Sequence, residues 1–357
     1  MTPVAFYAPM KPPTHPVASG DRTMAQGLMR ALDHGGYRAG LASDFQSRDG
    51  KGCTDTQIAV IAAAEREAEQ LVAKGRRAGW QAWVTYHNYY KAPDLLGPVV
   101  SRALSIPYVL IEATRARKRL GGPWDLFARK AEAASDTAHT ICYLTARDAE
   151  ALRAYAPAGQ KLVHLRPFLA ITELPDASDC TGPLLSVGML REGDKLASYD
   201  LVAQSLGRVR HSDWQMQIVG DGPARVQIER MMAPFGTRVS FAGALSGSEL
   251  QKAYTRAGLF FWPGVNEAFG MTYLEAQAAG LAVVAQDRPG VRDVLAPGDY
   301  PAQSDGAQAL ADMLDLYLAD TAHRLEHGRQ ARAHIAEHHL LPAAARTLSG
   351  VLRDAIA

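Results

Sequence analysis

The segment Asn266 to Gly280, NEAFGMTYLEAQAAG, places Glu267 and Glu275 on either side of a helix start. MTYLEAQAA is a run of good helix formers closed by Gly280, and the preceding LFFWPGV reads as a buried strand ending in a Pro-Gly turn. Glu267 therefore precedes the helix and Glu275 lies within it. Phe269, Gly270 and Met271 occupy the first turn, whose backbone N–H groups have no partner inside the helix and suit an anion or sugar hydroxyls. Gly270 has no side chain to hold a ligand away from the backbone. A nucleotide sugar would use every part of this arrangement, with sugar hydroxyls at one carboxylate, phosphates at the helix start and ribose hydroxyls at the other carboxylate. The same spacing also arises when one Glu caps a helix and the other is solvated, so the surrounding elements decide.

Those elements alternate. Short apolar runs begin at Val4, Ala82, Pro107, Thr140, Pro183, Gln215, Val239, Leu259 and Leu281, with helical patterns between them. Strands alternating with helices predict an α/β protein with parallel sheets covered on both faces. The alternation stops once, across PFLAITELPDASDCTG from Pro167 to Gly182, and this predicts a domain boundary near Asp179. The expected organisation is a Rossmann-like domain over 1–178, a second over 179–341, and a C-terminal helix over 342–357, set off by Pro342 and crossing back to the first domain. Both domains carry a loop at the carboxyl end of their first strand, where open parallel sheets bind ligands, so two such sheets facing one another would enclose a cleft.

Composition excludes several classes. The 357 residues are 47% hydrophobic and 21% charged, ordinary for a globular chain, and 38 Lys and Arg against 37 Asp and Glu leave no overall field to attract nucleic acid. Three scattered cysteines, Cys53, Cys142 and Cys180, fit neither a disulfide framework nor a zinc site, and a cytoplasmic location is the simplest reading. No apolar run approaches the roughly 18 residues that a membrane span needs.

Taken in order from Leu184 to Leu295, the segments SVGMLREGDK, VGDGPAR, VSFAG, SGSELQKAYTRAG and FFWPGVNEAFGMTYLEAQAAGLAVVAQDRPGVRDVL resemble the donor domain of glycosyltransferase family 4. The resemblance implies the GT-B fold, two facing Rossmann-like domains, and transfer of a sugar from a nucleotide diphosphate sugar with retention. It implies no cofactor and no metal, and the chain contains no Asp-x-Asp. Carried over by position, Glu267 would contact donor-sugar hydroxyls and Glu275 the ribose. Gly188 and the backbone of Phe269, Gly270 and Met271 would hold sugar and phosphates, with Thr272 as a further donor, and Phe241 to Gly243 would meet the nucleobase. The family carries a basic residue just after SVG, where this chain has Met189. Arg191 and Lys195 follow and are assigned the diphosphate charge, which grows as the anomeric bond breaks. Ser246 and Glu249 stand at capping-box spacing for the helix after VSFAG.

The first domain resembles the family more loosely, through TYHNYYKAPDLLGP and IPYVLIEATRARKR. His87 matches a histidine-bearing loop on the acceptor side. At the second strand end, where many members carry histidine, this chain has Ala113 with Glu112 beside it. His87 and Glu112 are the candidate polar groups for the attacking hydroxyl, and Lys11, His15, Gly20 and Asp21 of the first loop are assigned to the same side, with Gly20 also read as relieving the loop-to-helix turn. The stretch from Ala113 to Lys130, ATRARKRLGGPWDLFARK, holds Arg115, Arg117, Lys118, Arg119, Arg129 and Lys130 with Trp124, Leu126 and Phe127 among them. It suits peripheral contact with an anionic membrane at the inner face, or a lipid-linked acceptor; the other reading is a solvated loop and helix with its aromatics in the core.

The reading is a metal-independent retaining glycosyltransferase acting on a saccharide or lipid-linked acceptor in polysaccharide or glycolipid synthesis. Two alternatives stay open: a non-catalytic nucleotide-sugar-binding or partner-stabilising member, and a nucleotide-sugar epimerase of the same fold.

Overall fold

Apolar runs buried on both faces become the central strands of two parallel sheets. In the computed structural model, which describes residues 1–16 and 19–357, the chain runs β1 (Thr2–Tyr7), α1 (Gly20–His34), β2 (Tyr37–Ser43), α2 (Thr54–Ala78), β3 (Ala82–Asn88), α3 (Gly97–Leu104), β4 (Tyr108–Ala113), α4 (Asp125–Thr137), β5 (Thr140–Tyr143), α5 (Ala146–Tyr155) and β6 (Lys161–His164). It continues through β7 (Leu184–Val187), α6 (Asp194–Leu206), β8 (Met216–Val219), α7 (Arg225–Met232), β9 (Val239–Gly243), α8 (Gly247–Thr255), β10 (Leu259–Phe261), α9 (Met271–Ala278), β11 (Val283–Val284), α10 (Gly306–Ala319) and α11 (Thr321–His338), and ends in α12 (Leu341–Ile356). The first sheet has the order β2-β1-β3-β4-β5-β6 and the second β11-β10-β7-β8-β9, with every pair parallel. Among the described residues no helix is long and apolar enough to cross a membrane.

Contacts divide the chain into Met1–Arg166 with Leu341–Ala357, and Pro167–Leu340. The division thus falls at 166/167, not at the expected 178/179. The cause is that the aperiodic segment lies on the second unit: Leu169 N donates to His339 O (2.8 Å), Arg332 to Pro175 O (2.7 Å), and Ser178 N to Ala279 O (2.8 Å). Pro342 sits in the first turn of α12, where its missing N–H costs nothing, so it starts that helix. The helix belongs to the first unit, buries Leu341, Ala344, Ala345, Leu348, Val351 and Leu352 along one face, and donates from Ser349 Oγ to Gly35 O (3.0 Å).

Each unit has its own apolar core, with Trp83, Leu110 and Phe127 fully buried in the first and Tyr199, Phe260 and Trp262 in the second. Ser19 caps α1 by accepting from Arg22 N (3.3 Å). Ser246 does not cap α8 with its side chain, and Glu249 pairs with Lys252 (2.8 Å), so the expected capping box is absent. Val17 and Ala18 of the first loop lie outside the described residues.

Candidate functional site

In the second sheet the chain winds from β7 outward to β8 and β9, then returns to place β10 and β11 on the other side of β7. The order therefore reverses between β7 and β10, and loops at such a reversal diverge and leave room for a ligand at the carboxyl ends. The β7 loop leads to Lys195 and the β10 loop carries Glu267. Their side chains meet there as an ion pair, Lys195 Nζ against Glu267 Oε1. Trp262 Nε1 donates to the same carboxylate oxygen (3.0 Å), and Lys195 Nζ also stands 5.2 Å from the centre of the Trp262 ring.

The surroundings hold both loops in place. Asn266 Nδ2 donates to Asp194 Oδ1 (2.9 Å) and Val265 N to Ser198 Oγ (3.0 Å), which fastens the β10 loop to the start of α6. Tyr199 donates to Gly188 O (3.1 Å) and packs its ring at 4.9 Å against Trp262. The GDG turn explains itself here: Gly220 has φ 144°, and a Cβ there would lie 1.9 Å from Gly188 O. Only glycine lets the β7 and β8 loops pack this closely. Gly220 N donates to Gly243 O (2.8 Å), so the β9 end carrying Phe241 and Gly243 joins the same layer.

Gly270, at φ 80°, is the residue before α9, and a Cβ there would meet the Tyr273 ring at 2.7 Å. Among the described residues no side chain caps this helix, which leaves the N–H groups of Met271 and Thr272 without a capping oxygen. Glu267 is thus not a helix cap. Nor is Glu275 a solvated surface residue: its Oε2 accepts from Tyr254 OH (2.7 Å), and burial pushes its carboxyl above the usual carboxylate range, partly offset by that hydrogen bond. Arg191 is exposed and, among the described residues, pairs with no acid; Met189 is 55% exposed. Of the residues named from sequence, the structure brings Lys195 and Glu267 together and sets Glu275 on α9 against Tyr254; Trp262, Tyr199 and Tyr254, which touch them, were not named from sequence. For Trp262 the cue was an indole inside the apolar run LFFW, whose N–H needs a partner; Tyr199 and Tyr254 lie in polar helical stretches that carry no such cue.

In the first unit the order reverses between β1 and β3. His87 and Glu112, at the carboxyl ends of β3 and β4, face each other with Nε2 and Oε2 2.9 Å apart. Ala113 is buried and pairs with Asn88 in the sheet, so Glu112 is the residue that points out of this strand end. The loop after β3 is anchored by a buried network. Asp94 accepts from Thr85 Oγ1 (2.5 Å), Tyr108 OH (2.7 Å), Leu96 N (2.9 Å) and Gly97 N (2.8 Å), and Asp94 N donates to Asn88 Oδ1 (2.9 Å). Asp21 lies in the first turn of α1, and Gly20, its neighbour, has no positive φ and open space around its Cα. The glycine is therefore not required by the loop-to-helix turn.

The basic stretch resolves into two parts. Arg115 is buried and bonded to Glu132 (3.0 Å), Asp136 (2.6 Å) and Tyr155 O (3.0 Å), which makes it a structural cation rather than part of a surface patch. Phe127 is fully buried and Trp124 Nε1 donates to Asp49 O (2.9 Å), so these aromatics serve the core side, and Arg129 pairs with Asp125 (2.8 Å). Arg117, Lys118, Arg119 and Leu120 remain exposed on one 3-10 turn and the residue after it, with Arg117 also 3.5 Å from Glu132 and over the Tyr155 ring, and Arg119 over the Tyr90 ring.

Residues 184–334 match the family described as Glycosyl transferases group 1. The chain is 28% identical, over 52% of its length and 42% of the relative's, to the phosphatidylinositol N-acetylglucosaminyltransferase gpi3 subunit of Schizosaccharomyces pombe. It is 42% identical to a GDP-mannose-dependent alpha-mannosyltransferase of Mycolicibacterium smegmatis over 24% of this chain and 22% of that one. The matches thus span less than half the length of these relatives. Among solved structures, sucrose-phosphate synthase from Thermosynechococcus elongatus superposes with a TM-score of 0.72 over 99% of both chains at 16% identity. Anabaena Alr3699/HepE in complex with UDP and glucose gives 0.66 at 15% identity, over 98% of this chain and 99% of that one. These likenesses show the GT-B fold.

Proposed function

We propose that this chain, a relative of the group 1 glycosyl transferases with the GT-B fold, moves a sugar from a nucleotide diphosphate sugar to a hydroxyl acceptor. The observation that carries the reading is the convergence of Lys195, Glu267 and Trp262 at the strand-order reversal, beside the uncapped first turn of α9 and with Glu275 one turn further along that helix. In this reading Glu267 takes donor-sugar hydroxyls, the first turn of α9 takes phosphate oxygens, and Glu275 accepts from the ribose. Lys195 and the exposed Arg191 face the diphosphate. As the bond from the anomeric carbon to phosphate oxygen breaks, negative charge collects on the leaving diphosphate, and a fixed ammonium stabilises it more in the transition state than before. The acceptor oxygen forms the new bond to the anomeric carbon with retention, and its proton leaves with the diphosphate. Relatives named as a GDP-mannose-dependent alpha-mannosyltransferase and a phosphatidylinositol N-acetylglucosaminyltransferase subunit support the class; base, sugar and acceptor follow from assay. Incubation with UDP-, GDP- and ADP-sugars should release nucleoside diphosphate from one base series, faster when the acceptor is present. Release from none of them would overturn the reading.

The exposed loop Arg117–Leu120 supports a finer proposal, peripheral contact with an anionic membrane that supplies a lipid-linked acceptor. Three adjacent cations followed by an exposed leucine provide both charge attraction and a shallow apolar insertion. Flotation should recover the protein with vesicles containing anionic lipid and lose it with neutral ones. Replacement of Arg117, Lys118 and Arg119 by Gln should abolish the difference, and equal, negligible recovery from both vesicles would refute the contact.

A further inference from the structure

His87 and Glu112 hold backbone conformations that residues with side chains avoid, at φ 72° and 59°. Such residues are costly and persist where the surrounding structure imposes them. Here the two strained residues are opposite one another: β3 and β4 pair Tyr86 with Ile111 and Asn88 with Ala113, which sets His87 across from Glu112. The left-handed turns swing both side chains together, and Nε2 and Oε2 come within 2.9 Å. Both atoms are buried, and their alignment falls short of a hydrogen bond, so each keeps bonding capacity that a small rotation of the ring would use. The ring is flanked by Tyr86 (4.2 Å between centres) and Tyr89 (6.4 Å), which limit its other motions. Nδ1 is bonded to no described residue.

The groups that act on His87 electrostatically come from three neighbouring elements. They are Glu112 on β4, Asp21 on α1 and Asp148 on α5. Burial works against a charged ring, but these carboxylates outweigh it and hold His87 above the ordinary histidine value. The charges that act on the ring are carboxylates, which suits a neutral hydroxyl there better than a further anion.

We propose that Glu112 is a positioning residue that fixes the His87 ring through Nε2, so that Nδ1 meets a hydroxyl oxygen of a neutral saccharide or polyol bound at this strand end. This rests on the proposed glycosyl transfer, with the acceptor on the first unit as the family resemblance implies. The pair's contribution to stability is fully present below the ordinary histidine value of about 6.5 and is lost as pH rises through the higher value of the folded protein.

Ring-nitrogen NMR of histidine-labelled protein tests both parts, with the His87 signals assigned by their loss in His87→Gln. The expected result is titration above the ordinary histidine value and, in the neutral form, a proton on Nε2. Glu112→Gln should bring the titration down towards the ordinary value and flatten the fall in melting temperature with rising pH. Methyl α-mannoside, methyl α-glucoside or glycerol should shift Nδ1 in the wild type and act about tenfold more weakly on Glu112→Gln, while inorganic phosphate should leave it in place. Ordinary titration unaffected by Glu112→Gln would overturn the positioning role, and a shift from phosphate, or from none of the probes, would overturn the ligand. Neither readout needs glycosyl transfer, so failure of the enzymatic reading and failure of this pair are separate results.

Discussion

Lys195→Ala is expected to lower turnover by about 10²–10³, the range seen when one fixed donor to a developing anion is removed. The geometry argues for a cost in turnover rather than in affinity. Lys195 Nζ is held from two sides, by Glu267 and over the Trp262 ring, so its position is set before the donor arrives. A charge fixed in this way gains most when the opposing charge grows, which happens as the diphosphate leaves. Arginine should rescue poorly, because a planar guanidinium does not fit where a compact ammonium lies between a carboxylate and an indole face. Steady-state kinetics should show kcat and kcat/KM falling together with donor KM little changed. A variant with normal kcat and a raised donor KM would reassign Lys195 to simple binding.

Much of this site was legible because its residues lie in two continuous segments. The run from Leu259 to Gly280 carries its own strand, turn and helix start, and glycine at 270 marks the place where the backbone turns left-handed. The pairing of Glu267 with Lys195 was not legible, since it depends on β10 lying beside β7, a strand order that no local pattern encodes. The same limit hid how His87 and Glu112, both candidates from sequence, face each other: a positive φ at a residue with a side chain has no compositional signal, and their facing follows from the register of β3 on β4. Strand prediction failed at sheet edges for a related reason. β2 and β6 lie at the two ends of the first sheet, and β2 alternates exposed and half-buried positions with Arg38 and Gly40 in its middle, so no continuous apolar run announces it. Arg115 looked like one more surface cation among neighbours, yet its partners Glu132 and Asp136 wait on α4, further along the chain. A buried ion pair shows itself only when both ends are placed.

Glu275→Ala has the largest expected effect on donor affinity. If its carboxylate accepts from the ribose, the lost charge-assisted bonds amount to about 1.5–3 kcal/mol, or roughly 10- to 100-fold in the dissociation constant. The substitution also strips Tyr254 OH, which is buried, of its acceptor, so the variant should melt lower on its own. Glu275→Gln separates the two effects. Its amide oxygen can still accept from Tyr254, which restores most of the stability, while the charge that the ribose hydroxyls favour remains absent.

The most direct test of a nucleotide-sugar site on the second unit is the thermal shift of the wild type and of Glu275→Gln across UDP-, GDP- and ADP-sugars and the free diphosphates. Stabilisation of the wild type by one base series, largely lost in Glu275→Gln at the same concentration, is the expected result. A wild type that shifts with none of them at saturating concentration, or a variant that shifts as much as the wild type, would contradict the account.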